Sequence, residues 1–169
     1  MTQDHKHFME SALAEAKEAL AANEFPVGCV LVYEDTVVAR GRRANSQFEA
    51  CNELDHAEIA ALRQLVTMRP DVNLSRVVAY STMEPCLMCF ATMLLNGVRT
   101  FVYAYEDAMG GGTNLPLAQL NPLYQEMQVT VVPHVLRSES LALFKQFFNN
   151  SDNRYWHGSL LADYTLNQT

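Results

Sequence analysis

No run of about eighteen apolar residues occurs in this chain, which excludes an ordinary membrane-spanning helix. The opening stretch MTQDHKHFMESALAEAKEAL carries acids and bases where a secretory signal needs an unbroken apolar block, so a cytoplasmic location is expected. Glycine and proline are sparse, at 7 and 6 residues, and neither an internal repeat nor a low-complexity segment is visible. Fibrous and disordered classes are thereby excluded. Cations are outnumbered: 12 Lys and Arg face 19 Asp and Glu, a formal net charge of −7. That balance opposes a broad, nonspecific grip on nucleic acid, although small basic patches remain compatible with it. Cysteine is limited to Cys29, Cys51, Cys86 and Cys89. In a reducing compartment these stay thiols unless a metal or catalysis claims them, so a disulfide framework is not expected.

What is present reads as one globular domain: 169 residues, 49% of them hydrophobic, are enough to bury a single core. Phe8, Ala12, Ala16 and Leu20 recur at helical spacing and predict a packing helix from about 8 to 22. VGCVLVY and TVVARGRR are β-branched runs on either side of Glu34-Asp35, as in a tight hairpin. The polar stretch ANSQFEACNEL follows, then DHAEIAALRQLVTM, a helix with Asp55 as its expected N-cap. RVVAYST reads as a buried strand, PCLMCFATMLL as a helix stopped by Asn96-Gly97, and RTFVYAY as another strand. Beyond a glycine-rich loop, MQVTVVPHV and ESLALFKQFF predict a last strand and a last helix. The order α-β-β-α-β-α-β-α-β-α indicates a three-layer α/β/α domain, its mixed sheet covered by helices on both faces.

Cys86 and Cys89, three residues apart at the start of a helix, share a face and can converge on one ion. The partial positive charge of the helix N-terminus favours thiolates, which zinc binds. His56, at the start of the preceding helix, is the candidate third ligand. Its neighbour but one, Glu58, stands close enough for general acid/base work without ligating the metal. Three protein ligands leave a fourth position open, as in catalytic rather than structural zinc sites. Other readings of the cysteine pair stay open on spacing alone: a redox Cys-x-x-Cys, or a structural zinc module that hydrolyses nothing. Cys29 and Met83, Met88 and Met93 read as packing residues, and Cys51 as a loop thiol.

His56-Ala57-Glu58 followed by Pro85-Cys86-Leu87-Met88-Cys89 is the H-x-E and P-C-x-x-C signature of the zinc nucleobase deaminases. The chain resembles the cytidine/deoxycytidylate deaminase superfamily from about Phe8 to Phe148, leaving 149–169 as a C-terminal extension of a single domain. PVGCVLV, HAEIAALRQ and STMEPCLMC look most like bacterial tRNA adenosine deaminases and their relatives, which include guanine deaminases. The resemblance implies a cytidine-deaminase-like fold with a five-stranded mixed sheet, a homodimer and a Zn²⁺ cofactor held by His56, Cys86 and Cys89. It also implies hydrolytic deamination, with zinc hydroxide attacking the amine-bearing ring carbon of a base and Glu58 shuttling protons. Substrate contacts are assigned by the same resemblance to Asn45, Val27 and Asp107, Asn45 hydrogen-bonding the target base; without it, Asn45 reads equally as a turn former.

Two departures from the tRNA enzymes bear on the substrate. Where those enzymes have an Arg-Asp-Ala-Lys type sequence after the fourth strand, this chain has Glu106-Asp107-Ala108-Met109, keeping the acid and losing both cations. Their basic C-terminal tail is also missing: SDNRYWHGSLLADYTLNQT sets Arg154 against Asp152 and Asp163. Phosphate contacts dominate nucleic-acid affinity, so the leading expectation is a free nucleoside or nucleobase. Deamination of adenosine to inosine at the wobble position of tRNA is the alternative. Arg40, Arg42 and Arg43 read as a solvated strand end or as a contact to a substrate phosphate. Tyr155 and Trp156 read as anchors of the C-terminal segment or as a base-stacking platform.

Overall fold

The computed structural model describes residues 4–47, 49 and 51–168. Helix α1 (His5–Ala21) precedes a hairpin of β1 (Gly28–Tyr33) and β2 (Thr36–Arg42). Its two-residue turn puts Glu34 and Asp35 at φ 49° and 56°, the positive values of a type I′ hairpin, whose twist matches that of paired strands. There follow α2 (Ala57–Met68), β3 (Val78–Met83), α3 (Leu87–Leu95), β4 (Thr100–Tyr105), the short α4 (Pro122–Gln125), β5 (Thr130–Val132), α5 (Arg137–Asn149) and α6 (Leu160–Leu166). The sheet order is β2-β1-β3-β4-β5, with β1 antiparallel to β2 and β3, and β3, β4 and β5 mutually parallel. Among the described residues no helix is long and apolar enough to cross a membrane.

Alternation along the strands separates two cores. Val30, Val32, Val78, Tyr80, Val102 and Ala104 pack with Phe8, Met9, Ala12, Leu13 and Ala16 of α1. Cys29, Leu31, Ala79 and Phe101 face the other way, onto Ala57, Ala61, Leu62 and Leu65 of α2 and Phe90, Met93 and Leu94 of α3. Cys29 is thus a fully buried packing residue. Helix α5 adds Leu143 to the α1 cluster, while Phe144, Phe147 and Phe148 surround Phe25 where β1 begins.

Topology fixes where the site must lie. Since β1 opposes both β2 and β3, those two strands run the same way, so α2 and α3 both start at the same end of the sheet. That end also holds the start of β1 and the end of β4, the crevice where open α/β sheets bind ligands.

Two regions differ from the sequence reading. The helix expected between β4 and β5 shrinks to four residues and a 3-10 turn at Leu117–Gln119, since prolines at 116 and 122 interrupt the segment. The C-terminal segment forms α6, capped by Ser159 and burying Leu161, Ala162 and Thr165. Its hydroxyl-rich, half-polar sequence gives little periodicity, and its helicity depends on the surface it covers.

Gly41 in β2 lets α2 approach closely: a Cβ there would lie 2.1 Å from the Ala57 carbonyl oxygen and 2.6 Å from the Ala61 nitrogen. Backbone atoms cannot rotate away, so Gly41→Ala is expected to lose about 1–3 kcal/mol or more, as overpacked sites do. The midpoint of urea unfolding measures this; an unshifted midpoint would contradict the close packing of α2 on β2.

Candidate metal centre and active-site pocket

His56 is the N-cap of α2 and Cys86 the N-cap of α3, and neither side chain bonds its own helix start. Both are left to turn toward each other. The expected cap, Asp55, is used differently: its carboxylate accepts from the side-chain amides of Asn45 and Asn52, and the helix begins one residue later. Nδ1 of His56 lies 3.5 Å from Sγ of Cys86 and 3.4 Å from Sγ of Cys89. All three ligand atoms fall within 4.8 Å of one another. Tetrahedral zinc with bonds of about 2.3 Å to sulfur and about 2.0 Å to nitrogen sets nitrogen and sulfur about 3.5 Å apart. The donor set and its spacing therefore fit zinc. Among the described residues no other three His, Cys, Asp or Glu side chains converge in this way.

Electrostatics favour ligation. Cys86 is lowered to about 4 by the hydrogen bond from Cys89 and by His56, against the upward push of burial. Cys89 is raised, by that same bond, by burial and by Glu58. Zinc binds both sulfurs as thiolates, so the ion displaces the protons they carry. Burial lowers His56, but its bonds to Cys86 and Glu53 outweigh this and raise it to about 9. Zinc must displace protons here, and its affinity falls with falling pH.

Glu58, on the first turn of α2, is 3% exposed. Its Oε1 accepts from Ser81 Oγ at 3.0 Å and its Oε2 from Cys89 Sγ at 3.6 Å. Burial first, then the neighbouring Cys86, raises its pKa above the ordinary carboxylate value. A carboxyl pKa raised in this way suits general acid/base work.

A cavity of about 240 Å³ opens beside these groups, lined by His56, Glu58 and Cys86 together with Phe25, Val27, Met83, Glu84 and Asp107. Val27 and Asp107 thus stand at the pocket, and Asp107 is raised chiefly by burial although Met109 and Gly110 donate backbone N–H groups to it. Asn45 does not join them: its side chain is turned to Asp55 in a left-handed backbone at φ 58°. Arg43, Glu53, Tyr155, Trp156 and Leu161 complete the wall. Glu53, Glu84 and Leu161 were absent from the sequence reading of the site, whereas Arg43, Tyr155 and Trp156 entered it only as one of two readings. Glu84 adjoins Pro85 in the motif, which is a usable signal; the C-terminal residues lie too far along the chain for any spacing rule.

Arg43 is neither a solvated strand end nor an open phosphate contact. It is 3% exposed, with Nη2 donating to the Asn52 carbonyl at 2.8 Å and to Glu53 at 3.3 Å. Arg40 and Arg42 both pair with Glu15 of α1. Glu106 bonds Arg137 and the Tyr164 hydroxyl, which hold it at about 2 against burial.

One zinc per chain is the expected result of metal analysis, with occupancy lost in Cys86→Ser and in Cys89→Ser. Calorimetry in buffers of different ionisation enthalpy should report protons released on zinc binding at neutral pH. Unchanged occupancy in both serine variants would contradict the ligand set.

The family described as "Cytidine and deoxycytidylate deaminase zinc-binding region" matches residues 2–105. A tRNA-specific adenosine deaminase of Agrobacterium fabrum is 32% identical over 86% of this chain and 94% of its own length. A solved structure from work on tRNA:A34 deaminases that edit A to I at the wobble position is 30% identical, with a TM-score of 0.67, covering 81% of this chain and 98% of that one. A guanine deaminase of Nitrosomonas europaea, 23% identical with a TM-score of 0.65 over 84% of this chain and 83% of that one, shares the fold. Convergence of His56, Cys86 and Cys89 within the matched region supplies the ligands that such a match requires, and the chain belongs to the cytidine and deoxycytidylate deaminase zinc-binding family, with zinc as its cofactor.

Proposed function

We propose that the protein hydrolytically deaminates a free nucleobase or nucleoside, replacing an exocyclic amine by a carbonyl and releasing ammonia. The observation that carries this reading is the C-terminal segment, which walls the pocket with Tyr155, Trp156 and Leu161. It is anchored at one end by Tyr155 on Glu53 and at the other by Tyr164 on Glu106. The cavity volume of about 240 Å³ is below the roughly 300–1,000 Å³ of sites for drug-sized ligands, a size suited to a single base. Glu53, Glu84 and Asp107 outnumber Arg43 in the lining, a balance that disfavours a phosphate inside the cavity.

Zinc held by His56, Cys86 and Cys89 would supply the Lewis acidity that brings a water toward ionisation near neutral pH. Glu58 takes the proton role: positioned by Ser81, it would accept a proton from the attacking water, deliver it to the ring nitrogen next to the reacting carbon, and pass the water's second proton to the amine, which departs as ammonia. Phe25, Val27 and Met83 give the flat base apolar walls and exclude water. Asp107, which lines the same cavity, would accept from a substrate N–H or O–H.

The tRNA reading has its own support in relatives named as tRNA-specific adenosine deaminases, the Agrobacterium protein among them. The zinc-loaded enzyme should be assayed for ammonia from free adenine, guanine, cytosine and their nucleosides, and for inosine in tRNA, across a salt series. The proposal expects turnover of at least one small substrate at a rate nearly independent of salt. Inosine formed in tRNA, with no small substrate turned over and a steep loss with salt of nearly one logarithmic unit per decade for each neutralised phosphate, would replace it with the tRNA reading.

A further inference from the structure

The carboxylate of Glu53 sits between the metal ligand and the C-terminal segment. His56 has two ring nitrogens, and Nδ1 is the one that faces both sulfurs. Nε2 must then carry the ring proton, and Glu53 lies 3.0 Å from it. An acceptor at that nitrogen selects the tautomer whose lone pair points at the metal position and fixes the ring plane. The same carboxylate accepts the Tyr155 hydroxyl, at 2.9 Å to one oxygen and 3.1 Å to the other. Arg43, buried against the Tyr155 ring with its guanidinium carbon 5.3 Å from the ring centre, donates to it as well.

Glu53 is in the loop before α2, outside any helix or strand, and its side chain is 55% exposed. Its orientation is therefore set by the groups it bonds. Tyr155 also packs on Phe25, and its neighbour Trp156 forms part of the pocket wall. Among these groups, the Glu53 carboxylate is the one that bonds both His56 and Tyr155, and Arg43 braces it by donating to Glu53 and to the Tyr155 hydroxyl.

We propose that Glu53 is a positioning residue that couples zinc binding to docking of the C-terminal segment over the pocket. Through it, the wall closes fully only on a metal-loaded site, and docking of the segment strengthens the metal site in return, since coupling between two binding events is reciprocal. This goes beyond the deamination reading and holds whichever base is the substrate.

The test needs no turnover. Zinc affinity is measured by competition with a chromophoric chelator for the full chain, Glu53→Gln and Tyr155→Phe, at one pH. Glu53→Gln retains an amide oxygen but removes the negative charge that polarises the His56 N–H, and perturbing the outer-sphere partner of a histidine ligand weakens metal binding about 10 to 100-fold, the result expected for this variant. Tyr155→Phe keeps the His56 contact and should weaken zinc by a smaller but measurable factor, about threefold to tenfold, through linkage alone. Trp156 is the sole tryptophan and reports on the segment directly. Its emission should shift when zinc is stripped from the unaltered protein, and the shift should vanish in Glu53→Gln. A folded Glu53→Gln protein with unchanged zinc affinity, or with the full zinc-dependent shift, would overturn the proposal. Removing Glu53 leaves the Arg43 cation buried without its carboxylate, so that variant can fail to fold. In that event Tyr155→Phe decides alone, and unchanged zinc affinity overturns the coupling.

Discussion

Two helix N-termini held side by side are the constraint on which the active end of this protein depends. Because β2 and β3 run in the same direction on either side of β1, α2 and α3 start at one end of the sheet. Their N-cap residues, His56 and Cys86, then meet without any long-range loop reaching across. The partial positive charge of each start favours the anionic form of a sulfur ligand, so the fold lowers the cost of gathering two thiolates before a metal arrives. Close packing preserves this geometry. Gly41 lets the backbone of α2 rest on β2, and Ala57 and Ala61 present the smallest side chains to that contact.

Around this centre the chain has reassigned its charges. Glu106 binds Arg137 and Tyr164, and Arg43 binds Glu53 beside Tyr155, so charged groups near the site hold the C-terminal segment in place. Arg40 and Arg42 answer Glu15. The pocket is apolar at Phe25, Val27 and Met83 and carries both acids and the Arg43 cation. The segment from Asn153 to Leu166 is therefore part of the site's wall as well as a terminal extension.

Much of this was legible in the sequence, for a physical reason: helices and strands here are short, strongly periodic and separated by Gly, Asn or Pro, so local patterns and final structure agree. The ligand set was legible because histidine and cysteine at helix starts have so few structural uses in common. Asp55 misled by being the better cap on propensity, yet tertiary demand from Asn45 and Asn52 took its carboxylate. Glu53, three residues before His56, looked like any loop acid, because its partners Arg43 and Tyr155 come together only in the folded chain. Helix α6 escaped for the same reason: Thr165 is fully buried through a hydroxyl contact with Tyr105, a pairing across 60 residues that no periodicity announces.

The central claim is that zinc binding and proton transfer are assigned to different residues of one buried cluster, and Glu58→Gln separates them most directly. The substitution keeps the size of the side chain and removes the ionisable group from a position that touches Ser81 and Cys89. Zinc content and turnover should be measured on the same preparation. Retained zinc at one per chain with turnover reduced by about 10² to 10⁴-fold is the predicted result. Turnover within a few-fold of the unaltered enzyme, or loss of zinc together with activity, would contradict it.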